Sequence, residues 1–169
     1  LKWMNGHYIK MLPIEKLKEM LKPYLTQYNL NELTDEQYTK MVEITREPLT
    51  LLSDITDAVP YFFGKDVEIQ PETQTGTLDT QVAQDVLKDF VEKAKDWEWT
   101  EENLHEKLAE FRAFWKESAG IKPKVTMWAV RAAITGRTCG ADMVGILEIL
   151  GKETSLYRAQ KAIKQESKI

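Results

Sequence analysis

The stretch Ile121–Glu153, IKPKVTMWAVRAAITGRTCGADMVGILEILGKE, decides the reading of the chain. From Gly120 through Ala141 it carries four basic residues, Lys122, Lys124, Arg131 and Arg137, and no acidic one. Pro123 stands where a first helical turn starts, after Gly120 has ended the helix before it. Val125, Trp128, Ala129, Ala132 and Ala133 then share a face at helical spacing, which assigns all of them, Trp128 included, to the core. Lys124 and Arg131, seven apart, fall on another stripe. A helix apolar on most sides is packed on most sides, so an Arg on it needs a polar pocket or an anionic partner. ITGRTCGAD follows as a turn punctuated by two glycines. A new helix starts near Asp142, with Met143, Ile146, Leu147 and Leu150 as its apolar stripe and Gly151 as its stop.

Outward from this stretch the pattern is helical throughout. Pro13 opens a helix with Leu17, Met20, Leu21 and Tyr24, ended at Pro23. Thr34 and Gln37 form a capping box for a helix holding Tyr38, Met41 and Val42. Leu51, Leu52, Ile55 and Val59 predict another, closed by Pro60 and Gly64. Residues 64–79 have no helical period and read as a linker or long surface loop, and as the subdomain boundary. Val82, Val86, Leu87, Phe90, Val91 and Ala94 form an amphipathic helix. Thr100, followed by Glu101 and Glu102, caps the next, whose stripe is Leu104, Leu108, Phe111 and Trp115. The last helix runs from Glu153 to about Lys164. No strand pattern occurs. The expectation is an all-α chain with subdomains at 1–63 and 80–169 and the linker 64–79 between them, the two stacked into one elongated surface.

The 169 residues carry a formal charge of −4, which argues against broad nonspecific binding to nucleic acid but leaves room for a local basic site. A hydrophobic fraction of 43% suffices for a core. No run has the length of a membrane span, and no signal peptide is visible. A single cysteine, Cys139, allows no internal disulfide and fits a reducing cytosol. His7 and His105 lack the spacing of a metal site. The opening on Leu1 inside an apolar segment suggests a fragment of something longer.

Three segments carry a family resemblance. AVRAAITGRTCGADMVGILEILGKE, residues 129–153, resembles the anticodon-binding region of bacterial glutamyl-tRNA synthetases, whose members show a pattern close to (L/V)R-x-A-(I/L/V)-TG, a short loop and a helix ending in LGKE. LKWMNGHYI at the start resembles the WMN-x-x-YI signature that follows the catalytic lobe in that family, and DWEWTEENLHEKL resembles its EEWT helix start. The three lie in the family's order over nearly the whole chain. The resemblance implies a two-part helical fold of the helix-cage type that binds the anticodon stem-loop of a tRNA. It also implies a parent ligase, class I, using ATP with Mg in a catalytic lobe whose HIGH-type and KMSKS-type signatures this sequence lacks. The fragment itself is therefore expected to hold no cofactor and to be inactive, monomeric and cytoplasmic, with no DNA or membrane partner.

The resemblance assigns base contacts to Arg131 and to the loop and helix start at Gly140 and Met143; the residues alone leave Arg131 equally open to a structural tie. Lys122, Lys124 and Arg137 suit backbone phosphates, which give affinity without sequence information. In TREPLTLLSDI the turn that inspects the last anticodon base in the family carries Pro48, which has no donor, with Arg46 two residues earlier. Discrimination there is either relaxed or performed by Arg46. The alternative from another class is a helical protein-interaction module with 121–151 as its docking groove.

Overall fold

The computed structural model describes residues 6–165. Most of the expected WMN signature, residues 1–5 with Trp3 and Met4, lies outside the described residues. No strand occurs among those described. The chain forms two compact units. The first comprises residues 1–63 with 140–149, the second 64–139 with 150–169.

In the first unit the helices are short. α1 (Gly6–Met11) and α2 (Ile14–Leu21) are followed by a 3-10 turn through Pro23. α3 (Asp35–Thr45) starts with the capping box read from sequence: the Gln37 amide donates to Thr34 Oγ1 at 3.1 Å, and the Thr34 amide to Gln37 Oε1 at 2.8 Å. The helix expected over Leu51–Val59 is instead a 3-10 turn (Leu52–Asp54) and a single α turn, α4 (Ile55–Ala58). The cause is Asp54, whose Oδ2 draws in the amides of Leu51 at 2.9 Å and Thr50 at 3.1 Å. Pro60 then opens another 3-10 turn. Ile9, Leu17, Leu21, Met41, Val42, Ile55, Ile146 and Leu147 are sealed in the core of this unit. Each contributes roughly 1.5–3 kcal/mol by leaving water.

The second unit has long helices. α6 (Gln81–Ala94) is capped by Thr80 and α7 (Glu101–Ala119) by Thr100, each hydroxyl accepting a backbone amide three residues on. α8 (Pro123–Thr135) packs against both. Its buried face is Ala129, Val130, Ala132, Ala133 and Ile134; the alanines permit close approach. Phe90, Trp97 and Phe111 meet edge to face with centroids 5.8–6.3 Å apart and lock α6 to α7.

The division differs from the expected one in two places. Residues 64–79 are not a free linker: they belong to the second unit and contain α5 (Pro71–Thr73) and a π turn over Gln74–Leu78, with Thr73 and Leu78 buried. A five-residue π turn has no 3.6-residue period, which hid it from the sequence. Residues 140–149, assigned to the second subdomain from sequence, cluster with the first unit. The helix that begins within them, α9 (Met143–Ala162), is broken at Gly151, whose φ of 80° and ψ of 167° are non-helical. Gly151 is thus the stop read from sequence, and a second helical segment restarts after it.

Candidate nucleic-acid interface

The second unit holds four of the expected contact residues, all on α8 or at its ends. Lys122 is the N-cap residue and Pro123 the first helical position. Lys124, Trp128 and Arg131 follow at i, i+4 and i+7, which places them along one stripe of the helix. Lys124 is exposed, with its Nζ 5.0 Å from the centroid of the Trp128 ring. Trp128 is 38% exposed, which corrects its assignment to the core. Arg131 is half-buried. A basic, aromatic, basic stripe therefore stands on the side of α8 away from its alanine face.

The stripe ends in a turn held from several directions. The Thr135 hydroxyl donates to the Arg131 carbonyl at 2.8 Å and accepts the Arg137 amide at 3.1 Å. Gly136 has φ 77°, and a Cβ built there would fall on the Glu68 carbonyl. Only glycine fits, on both counts. Its carbonyl accepts the Gln70 amide at 3.0 Å. The TG pair that carries the family resemblance is accounted for by these contacts. Arg137, just beyond, is half-buried.

Arg158, unremarked in the sequence, is the largest fully buried side chain of the described residues, 2% exposed. It donates to the carbonyls of Ile134 (2.8 Å), Gly64 (2.8 Å) and Lys65 (3.1 Å). Burial pulls its pKa down to about 10, against the raising influence of Asp66, and it remains a cation at neutral pH. A signal existed. Positions 155, 158, 159 and 162 share one helical face, and Ala159 and Ala162 mark that face as apolar.

The other four expected residues lie in the first unit, where Met143 and Arg46 are engaged in packing and internal bonds while Gly140 and Pro48 are exposed. Met143 is 5% exposed, a core side chain. The Asp142 carboxylate accepts the Gly145 amide at 3.0 Å and so caps the helix that begins at Met143. A carboxylate already sits where a phosphate would seek the helix N-terminus. Gly140 precedes it, with φ 149°. Arg46 is turned inward: its Nη2 donates to the carbonyls of Ile9 (2.6 Å), Lys10 (3.0 Å) and Leu12 (2.7 Å), the last turn of α1 and the residue after it. Pro48 is exposed.

Among the described residues no group of three or more His, Cys, Asp or Glu could hold a metal, and no helix is long and apolar enough to cross a membrane. Cys139 is exposed.

Comparison with known proteins bears on these features. The profile of the anticodon binding domain family matches residues 16–163. The chain is 36% identical to glutamate–tRNA ligase 1 of Caldanaerobacter subterraneus subsp. tengcongensis over 97% of its length, and 33% identical to glutamate–tRNA ligase 2 of Thermoanaerobacter pseudethanolicus over 96%. It spans 34% of the length of each of these relatives. The fold is similar to that of the glutamate tRNA ligase of Elizabethkingia meningosepticum, with a TM-score of 0.79 at 22% identity over 95% of this chain and 31% of that one. With a match that covers both units and the whole of α8, the chain belongs to the anticodon binding domain family.

Proposed function

We propose that these residues are the part of a glutamate–tRNA ligase that recognises the anticodon stem-loop of its tRNA, within a parent that activates glutamate with ATP and works in the cytoplasm. The observation that carries the reading is the stripe Lys124–Trp128–Arg131 on α8, running into the Thr135–Gly136–Arg137 turn. Splayed anticodon bases offer π-faces and Watson–Crick edges. Trp128 supplies a surface for stacking, Arg131 a planar fork for a base edge, and Lys122, Lys124 and Arg137 the phosphate contacts. Gly140 and Met143 contribute backbone rather than side chain, because Met143 is buried. Arg46 acts as a structural tie, and Pro48 offers no donor. Base reading is thus concentrated in the second unit.

The test is binding of the chain, as a monomer, to a glutamate-type anticodon stem-loop and to one altered at a single anticodon base, across a salt series. Tighter binding of the first, with affinity falling at a slope of roughly −0.7 per phosphate neutralised, is expected. Equal affinity for both, or no salt dependence, would sink the reading and favour an apolar protein-docking groove. The same chain should give no glutamate-dependent ATP–pyrophosphate exchange above a heat-killed control, since it lacks the nucleotide signatures of the class.

A further inference from the structure

Arg131 lies one helical turn before the end of α8, so its aim depends on how that end is held. The α8 terminus leaves its last carbonyls without helical partners. The Ala132 carbonyl accepts the Gly136 amide. The Ile134 carbonyl accepts from Arg158 Nη1 at 2.8 Å, deep in the unit. The same guanidinium reaches Gly64 and Lys65, where the segment 64–70 begins. The other end of that segment returns to the turn, where the Gln70 amide donates to the Gly136 carbonyl and the Glu68 and Ile69 backbone closes over Gly136. Segment 64–70 and Arg158 thus form a closed collar around residues 134–136.

We propose that Arg158, with the Gln70 amide, is a positioning device for anticodon reading: it sets the end of α8, and through it Arg131 and the turn, without touching RNA. This rests on the assignment of α8 as the reading helix. A side chain that reads a base must be held to within about 0.5 Å of its productive position. The collar holds the end of α8 at the Ile134 and Gly136 carbonyls, and two further bonds, to the Gly64 and Lys65 carbonyls, tie Arg158 to segment 64–70. A lysine at 158 keeps the charge but loses the planar fork that spans those carbonyls. Gln70 has φ −61° and ψ 139°, values that proline also adopts, so Gln70→Pro suits the local backbone; it deletes the amide donor and sets its Cδ against the Gly136 carbonyl, which pushes segment 64–70 off the turn.

The experiment compares wild type, Arg158→Lys, Gln70→Pro and the control Leu104→Ala, which opens a cavity at a buried position of α7, a helix that supplies none of the collar's bonds. Each is assayed well below its own melting temperature on the paired stem-loops. Hydrogen exchange is followed at the Gly136 amide, which is bonded to Ala132. Arg158→Lys and Gln70→Pro should each lose about fivefold or more in discrimination, the size of a weak base contact. Their salt slope should stay that of wild type, because no phosphate contact is removed. Gly136 should exchange faster in both, while α6 and α7 stay protected. Leu104→Ala should melt early yet discriminate as wild type does. Should Arg158→Lys not fold, Gln70→Pro alone decides. Folded collar variants that discriminate like wild type would overturn the proposal and leave the reading of α8 standing, as would a Leu104→Ala loss equal to theirs. A wild type that does not discriminate would overturn both.

Discussion

Each unit contains an arginine that ties backbone carbonyls, and the two differ in what they hold. In the first unit Arg46, half-buried, closes the end of α1, a six-residue helix. In the second Arg158, almost wholly buried, closes the end of α8, which carries an exposed basic and aromatic stripe. Where Arg46 sits, the family's turn was expected to present a donor to RNA. Arg46 instead turns its Nη2 inward, onto three carbonyls of the chain. The second unit holds two arginines in different settings: Arg158 is buried and fixes the backbone, and Arg131, one turn before the carbonyl that Arg158 binds, is half-buried on the stripe proposed to meet RNA. A cation on a helical chain is therefore a poor guide to function until its hydrogen-bond partners are known.

The largest effect that could break this comparison is on stability. Arg158→Met strands the buried Ile134 carbonyl, at about 1–3 kcal/mol, and the part-buried Gly64 and Lys65 carbonyls, which water reaches in part, so urea unfolding should show a loss of about 2–4 kcal/mol. Arg46→Met should cost less, about 1–2 kcal/mol, because its bond to the Lys10 carbonyl is exposed to water. It should leave anticodon discrimination unchanged. An Arg46 variant that kept its stability and lost discrimination would give Arg46 a reading role.

Next in size are the changes on the stripe. Arg131→Ala should cost about 1–3 kcal/mol of discrimination, and Arg131→Lys should not restore it. Early melting with discrimination intact would make Arg131 a second tie like Arg46. Trp128→Ala should cost about 1–3 kcal/mol of affinity for the stem-loop through lost stacking, while its partial exposure keeps the melting temperature near wild type. Smaller still, Lys122→Ala and Lys124→Ala should each flatten the salt slope by about 0.7 units, equally for cognate and altered loops. Unchanged slopes would remove the phosphate track from α8.

Much of this was legible from residue order. The capping box at Thr34, the cap at Thr100, the stop at Gly151 and the all-α class follow from local rules and hold in the structure. The misses have separate causes. Trp128 was assigned to the core by hydrophobicity, although its spacing from Lys124 and Arg131 placed it equally well on the polar stripe. The π turn at 74–78 has no period for a pattern to find. The inward turn of Arg46, the burial of Arg158 and the collar around Gly136 depend on partners 24 to 94 positions away in sequence. Local spacing carries no information about them.

The smallest expected effect compares two aspartates in acid. In the first unit Asp54 is held below the usual carboxylate range by the Leu51 amide first, then by the amide and hydroxyl of Thr50. In the second unit Asp79 is lowered by the Gln74 side-chain amide at 2.8 Å and by Lys164 at 3.1 Å. For both, the unfolded chain binds the proton more readily than the folded one does. Stability from each is therefore fully present above the ordinary value of 3.8 and is lost as pH falls through the lower folded value. The two should part under salt. Backbone amides are fixed dipoles that bring no mobile counter-charge, whereas an exposed Lys–Asp pair is screened. Asp54→Asn should flatten the acid limb of the stability curve equally at low and high salt. Asp79→Asn should flatten it at low salt and less at high salt. Measured by thermal melting between about pH 5 and pH 2, a salt-sensitive Asp54 would show that the turn at 50–54 is held by an ionic partner rather than by its own backbone.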